Sequence, residues 1–248
     1  MPPGTEPVAG CAAQWKQREN AVPRTALWIA AERQGTDPYS QYFLDAAGEY
    51  QSYCGSIFAA RTRFFDRSIR ELGPRFDQVV LLGAGLDTRS LRFPFPSSAT
   101  FFELDLPIIL RFKEQVLAGC PQELQAKDAL ACRVPVACDF ELSAWEDGLL
   151  KAGFDQKKKT LWVAEGLVFY LSDASVRRLF STVQSLSPMG TTLLFDCISS
   201  SFARGLAGEP GHHWGMDNPT AFLRGYGFLV EGNPAQGSDR FFVMAHRA

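Results

Sequence analysis

Across residues 22–34 the apolar side chains Ala26, Leu27, Ile29 and Ala30 recur at helical spacing, and Gly35 with the turn Asp37-Pro38 closes the run, which predicts a first helix. Residues 39–54 are aromatic and mixed. Apolar positions at Ile57, Phe58, Phe64, Phe65, Ile69 and Leu72 then predict a longer helix that Gly73-Pro74 stops. The chain up to about residue 75 thus reads as helical, with no strand signal. From there the pattern changes to short apolar runs separated by helical stretches, as in βαβ units of a parallel sheet. Strands are predicted at 78–82, 100–104, 133–137, 160–164 and 191–195. Each of the first four ends on or just before a small or acidic residue: Gly83, Asp105, Asp139 and Glu165. Open α/β sheets bind ligands beyond the carboxyl ends of their strands, so these residues are expected to face a crevice. Two further strands, 227–230 and 240–245, flank a turn-rich stretch and read as a terminal hairpin. The expected organisation is one α/β domain over 1–248, with a helical cap over about 1–75, a core over about 76–248, and residues 199–225 as a substrate-side loop region.

The run Val79-Val80-Leu81-Leu82-Gly83-Ala84-Gly85-Leu86-Asp87 is a buried strand entering a turn whose glycines let the backbone approach a ligand closely. A lone G-x-G is common to nucleotide sites and to plain tight turns. Here Thr88 stands where a dinucleotide fingerprint has its third small residue, and Asp87 places a carboxylate where a diphosphate would lie. An acidic turn repels a diphosphate but is compatible with a sulfonium cation. Asp105 follows Gly85 by 20 residues, a spacing at which an acid accepts hydrogen bonds from ribose hydroxyls. Capping of a helix at Pro107 is the structural alternative, and Glu103 is the second candidate.

Composition narrows the partners. With 248 residues, 46% of them hydrophobic, the chain can bury one large core. A net charge of −2 and the lack of any Lys/Arg stripe argue against nucleic acid, and the run Lys157-Lys158-Lys159 reads as a solvated loop. Six cysteines without a C-x-x-C pair are expected to be reduced, mostly buried thiols, with no metal bound. The first residues lack the pattern of a signal peptide, and no apolar run is long enough to span a membrane, so a cytoplasmic enzyme without a membrane partner is expected.

Four stretches carry a family resemblance: Ala60-Arg61-Thr62-Arg63-Phe64-Phe65-Asp66, Leu82-Gly83-Ala84-Gly85-Leu86-Asp87-Thr88-Arg89, Phe102-Glu103-Leu104-Asp105-Leu106-Pro107, and Ala164-Glu165-Gly166-Leu167-Val168-Phe169-Tyr170-Leu171. In this order and spacing the chain resembles the leucine carboxyl methyltransferase family, including bacterial polyketide O-methyltransferases of the tetracenomycin type. The resemblance implies a Rossmann-like class I methyltransferase fold, with a mostly parallel seven-stranded sheet, a C-terminal antiparallel hairpin and an N-terminal helical cap. It implies S-adenosyl-L-methionine as cofactor, S-adenosyl-L-homocysteine as product, and no metal. It assigns Arg61 to the cofactor's methionine carboxylate, with Arg24 as the best match to a second basic residue from the first helix, where phosphatase-methylating members carry lysine. Gly83, in the turn with Ala84 and Gly85, would line the methionine side; Asp139 and Phe140 would bracket the adenine; Glu165 would lie at the methionine end.

Methyl transfer from a sulfonium is an in-line displacement that asks the protein mainly for positioning and a dry cavity, so the sequence identifies no catalytic residue. A carboxylate acceptor is already anionic, whereas a hydroxyl needs a base, for which His212 and His213 are the local candidates. The aromatic set Tyr39, Tyr42, Phe43, Tyr50 and Tyr53 either roofs a flat substrate or packs the cap, and Trp214 and Phe222 pose the same choice. The expected activity is O-methylation of a small-molecule carboxylate or hydroxyl of polyketide-like type. Methylation of a protein C-terminal carboxylate, a cofactor-binding regulator without turnover and, last, a nicotinamide dehydrogenase are the alternatives.

Overall fold

The computed structural model describes residues 21–48, 56–124, 131–142, 144–205, 214–232 and 239–248. Among the described residues, the helices α1 (Ala21–Glu32), α2 (Ser40–Ala47) and α3 (Ser56–Leu72) precede β1 (Gln78–Leu82). A one-turn helix α4 (Arg89–Arg92) follows, then β2 (Thr100–Asp105), α5 (Pro107–Ala118), β3 (Cys132–Ala137), α6 (Trp145–Lys151) and β4 (Thr160–Ala164). The chain continues through α7 (Asp173–Ser185), β5 (Thr192–Ile198), α8 (Ser200–Gly205), α9 (Pro219–Arg224), β6 (Phe228–Val230) and β7 (Arg240–Arg247).

Among the described residues the strands form one seven-stranded sheet in the order β3-β2-β1-β4-β5-β7-β6, in which β7 runs against both its neighbours and the other pairs are parallel. Side chains of a strand alternate between faces, and here both faces are covered. Val80, Leu82, Phe102, Trp162 and Phe195 pack on one side among residues of α6, α7 and α9. Val79, Leu81, Phe101, Leu161 and Leu194 pack on the other against Phe65 and Ile69 of α3. A third cluster joins Leu27 and Ala30 of α1 to Phe43 and Leu44 of α2 and Phe112 of α5. The chain leaves β1 toward β2 on one side, and β4 returns on the other. That reversal opens a crevice beyond the carboxyl ends of β1 and β4. Because β7 is antiparallel, its first residue, Arg240, pairs with Ile198 at the end of β5 and is brought to the same edge.

One expectation is corrected here. Of the described cysteines only Cys197 is buried, while Cys132 is exposed and Cys120 and Cys138 are half-buried, because they lie at edges and element ends rather than in the core. Of the two readings open for the aromatic set, packing holds for Tyr39 and Phe43, which are buried between α1 and α5, while Tyr42 faces outward. Trp214 is likewise buried, edge-on to Phe222. Lys157, Lys158 and Lys159 are exposed, as expected of a loop. Tyr50, Tyr53, His212 and His213 lie outside the described residues, as do Cys11 and Cys54. No helix among the described residues is long and apolar enough to cross a membrane.

Candidate active site

A cavity of about 360 Å³ occupies the crevice, a volume in the range of small-molecule sites. Its floor is the turn Gly83-Ala84-Gly85-Leu86-Asp87 after β1 and the loop Glu165-Gly166-Leu167 after β4, and its roof comes from α1 through Thr25, Ala26, Trp28 and Ile29 and from α3 through Phe58 and Arg61. Gly83 and Gly85 have φ of +69° and +50°, a backbone region that favours glycine. A side chain at Gly83 would also meet Leu167 at 3.0 Å.

Asp105, at the end of β2, reaches across to this turn. Its Oδ2 accepts from the Gly85 amide at 2.6 Å and its Oδ1 from the Leu106 amide at 2.7 Å. One carboxylate therefore both fixes the glycine turn and faces the cavity with lone pairs to spare, rather than capping α5. Burial raises its pKa above the ordinary value, and the two amide bonds offset this only in part. Glu103 is corrected as a cavity candidate. It is fully buried inside β2, one alternation short of the strand end where Asp105 stands, and it is bonded to Ser90, Lys113 and Arg133, so it does not line the cavity.

Asp87 is not a bare negative charge. Its Oδ1 accepts from the Arg89 amide at 2.8 Å and its Oδ2 from Arg89 Nη1 at 2.6 Å. Burial opposes its ionisation, but Arg89, with Arg33, outweighs it and holds the carboxyl well below the usual range. The amide a diphosphate would need is thus already taken, and the helix behind it is a single turn.

Glu165 is the centre of a charge cluster at the other end of the cavity. Its Oε1 accepts from Arg33 Nη2 at 3.0 Å and lies 3.3 Å from Arg61 Nε, while its Oε2 accepts from Arg89 Nη1 at 2.6 Å. Burial would raise its pKa, yet Arg89, Arg33 and Arg61 bring it down to about 2. Behind it, the fully buried Asp196 of β5 accepts from the Gly166 amide at 2.6 Å and from Arg240 Nη1 at 3.0 Å, with Arg61 Nη1 at 3.6 Å. Gly166, with φ of +70°, lets Arg61 lie directly over it; a Cβ there would come within 2.9 Å of Arg61 Nη1. The cluster holds Arg33, Arg61, Arg89 and Arg240 against Glu165, Asp66, Asp87 and Asp196, so it is charge-balanced. Among the described residues, Arg61 Nε is buried and makes no hydrogen bond, which suits it to an incoming carboxylate. Beyond it the wall is aromatic: Phe58 lies under Arg61, Phe169 under Arg240, and Tyr170 packs at 4.8 Å from Phe169. Burial lifts the Tyr170 phenol above its ordinary value against the pull of Arg61 and of a hydrogen bond with Thr25.

The structure brings Arg61, Gly83, Ala84, Gly85, Asp105, Asp139, Phe140 and Glu165 into the lining of one cavity. Arg24 is exposed and does not line the cavity; Arg33, just past the end of α1, is the arginine there. Arg33, Asp196 and Arg240 are absent from the sequence reading. Asp196 carried a signal, since it follows the apolar run of the fifth strand as Asp105 and Glu165 follow theirs. Arg33 and Arg240 carried none beyond being arginines at element ends.

The model of the leucine carboxyl methyltransferase family matches residues 21–184. A protein of Mycobacterium avium (strain 104), named for S-adenosyl-L-methionine-dependent methyl transfer, is 35% identical over 222 residues, covering 76% of this chain and 68% of its own length. A protein of Mycobacterium sp. (strain MCS) with the same designation is 30% identical over 246 residues, covering 90% of this chain and 99% of its own. Among solved structures, a DUF574-family protein of Streptomyces avermitilis has a TM-score of 0.58 at 13% identity, covering 91% of this chain and 97% of its own. The N-methyltransferase NodS of Bradyrhizobium japonicum, in complex with S-adenosyl-L-homocysteine, has a TM-score of 0.53 at 12% identity, with 92% and 99% covered. These two likenesses concern the fold, a class I Rossmann-like methyltransferase. With the matched motifs converging on one cavity of this fold, the chain belongs to the leucine carboxyl methyltransferase family of S-adenosyl-L-methionine-dependent methyltransferases.

Proposed function

We propose that this protein is an O-methyltransferase for a small-molecule carboxylate or hydroxyl. The observation that carries the reading is that one cavity is lined by Asp139, Phe140, Asp105, the glycine turn, Arg61 and Glu165 and, with them, by the aromatic residues Trp28, Phe58, Phe169 and Tyr170 and by Arg240. Asp139 would accept from the adenine amino group, Phe140 would cover the ring, Asp105 would accept from the ribose, and Arg61 would take the methionine carboxylate, held over Gly166 by Glu165 and Asp196. Bound S-adenosyl-L-methionine supplies a methyl group on a sulfonium. The aromatic end beside it would hold the acceptor, and its enclosure by α1 and α3 suits a small molecule better than an extended peptide.

Tyr170 is a phenol already protonated at neutral pH, and burial raises its pKa further, so it is not a base there. An acceptor that arrives as a carboxylate needs no base, and Arg240 and Tyr170 are placed to orient its oxygens. For a hydroxyl acceptor a base would have to come from elsewhere, with His212 and His213 as the candidates. The balanced charge of the cluster also suits a zwitterionic amino-acid group, since Arg61 can exchange its loose contact with Glu165 for the ligand carboxylate.

Titration calorimetry with S-adenosyl-L-methionine and S-adenosyl-L-homocysteine tests the cofactor half. Micromolar binding, weakened tenfold or more (about 1.4 kcal/mol) by both Asp105→Ala and Arg61→Ala, is the expected result. Transfer of labelled methyl to a panel of aromatic and aliphatic acids and phenols tests the acceptor half. Labelling of a protein C-terminus instead would move the assignment to protein carboxyl methylation, and tight cofactor binding without any product to a regulator.

A further inference from the structure

The loop that carries Asp139 and Phe140 is tied to α7 through Phe140, Glu141 and Leu142. Arg178 lies midway along that helix, one turn after Ser175. Its Nη2 donates toward the carbonyl oxygens of Phe140 at 3.1 Å, Glu141 at 3.0 Å and Leu142 at 3.4 Å, and toward Ser175 Oγ at 3.0 Å. Three successive carbonyls of the loop thus turn toward one cation. Glu141 binds the same helix in the opposite sense: its Oε1 accepts from the Ser172 amide at 2.6 Å, and its Oε2 from the Ser172 and Ser175 hydroxyls, each at 2.8 Å. A carboxylate over the first turn of a helix meets unpaired amides and the positive end of the dipole. The Glu141 amide in turn donates to Asp139 Oδ1 at 2.9 Å, and Phe140 packs against Trp145 with ring centres 5.6 Å apart. Asp139 therefore keeps its direction only as long as the backbone at 140–142 keeps its turn.

We propose that Arg178 is a positioning residue for recognition of the cofactor's base: by gathering the carbonyls of Phe140, Glu141 and Leu142 it holds the Asp139 carboxylate toward the cavity, and so sets the preference for a 6-aminopurine over a 6-oxopurine. The proposal rests on the reading of Asp139 as acceptor for the adenine amino group. A 6-oxopurine presents an oxygen where the amino group donates, so a fixed carboxylate rejects it, whereas a carboxylate free to turn away does not. Lysine would be a poor replacement, because its ammonium is a single point charge on a flexible stem.

The test is calorimetric titration of the full chain with S-adenosyl-L-homocysteine and with S-inosyl-L-homocysteine. The wild type is expected to prefer the adenosine compound. In Arg178→Met its Kd should rise about tenfold while that of the inosine compound changes by less than about threefold, so that the preference shrinks; Arg178→Lys should fall between. The ratio of the two Kd values is the decisive readout, because general loosening of the protein raises both together. A ratio that is unchanged in a folded variant overturns the proposal, and Arg178→Lys carries the same test should Arg178→Met not fold. A wild type that binds S-adenosyl-L-homocysteine without preference also overturns it, whereas one that binds neither compound removes the cofactor reading beneath it.

Discussion

Glu103 and Glu165 are both strand-associated glutamates, each surrounded by cations, and they teach different things. Glu103 is fully buried in β2, where Lys113 at 2.8 Å, Arg133 at 3.0 and 2.7 Å and Ser90 at 2.9 Å occupy its oxygens. Glu165 has three charged partners to the two of Glu103, but it borders the cavity, and one of its oxygens is shared between Arg33 and Arg61. A buried ion network is therefore not itself the mark of a site. What distinguishes the second is an open side and a cation whose contact can be exchanged. The sharpest break between the two is expected from Glu103→Ala, which strands Lys113 and Arg133 and should cost about 3–5 kcal/mol of stability in urea denaturation. In whatever fraction still folds, affinity for S-adenosyl-L-homocysteine should stay within about twofold. A tenfold loss of affinity at undiminished stability would mean that Glu103 belongs to the site after all.

Acid should reach Glu165 over a defined window. Its pKa is 4.5 in the ordinary case and about 2 in the folded protein, because the arginines outweigh burial. A depressed carboxyl stabilises the fold fully above the unfolded value, and this contribution is lost as pH falls toward the folded one. Stability should thus decline by on the order of 3 kcal/mol between pH about 4.5 and 2 from this group, with Glu103, also lowered against its burial, adding in the same direction. Urea midpoints along this range, compared with those of Glu165→Gln, read the share of Glu165 directly. An identical acid slope in the variant would show that its charge is not coupled to folding. At neutral pH the same variant should bind S-adenosyl-L-homocysteine about a hundredfold more weakly, roughly 2.7 kcal/mol, because Arg33 and Arg61 lose the anion that aims them.

The sheet was legible because its strands are continuous apolar runs, and β1 and β4 fall at the expected residues. β5 runs to Ile198 instead of stopping at Phe195, because a polar Asp196 ends the apolar run but stays buried by bonding Gly166 and Arg240. A sequence shows that a carboxylate sits at a strand end, not that two cations from distant elements will meet it there. The glycine turn, Asp105 and Glu165 were legible because each stands at the end of an apolar strand run, whereas Arg61 was legible only through the family resemblance. The roof was not. Tyr39 and Phe43 could equally have covered a ligand, and only the packing of α1 against α2 and α5 assigns them to the interior and gives the cavity to Thr25, Trp28 and Phe58.

The smallest effects concern the arginine from the first helix. Arg24 and Arg33 are nine residues apart, about 13 Å along a helix. Arg24 is exposed and away from the cavity, whereas Arg33 is buried against Glu165 at 3.0 Å. If the cofactor carboxylate is held from this side, Arg33 is the residue in reach. Arg33→Ala should weaken S-adenosyl-L-homocysteine about tenfold, and Arg24→Ala should leave its Kd within about twofold of the wild type. Equal losses in the two variants would require α1 to shift along its axis when the ligand binds, and the exposed arginine to become the inner one. A loss in neither would place the carboxylate on Arg61 alone and reduce Arg33 to a brace for Glu165, in which case Arg33→Ala should still lower stability, because Glu165 would have lost one of its three cations.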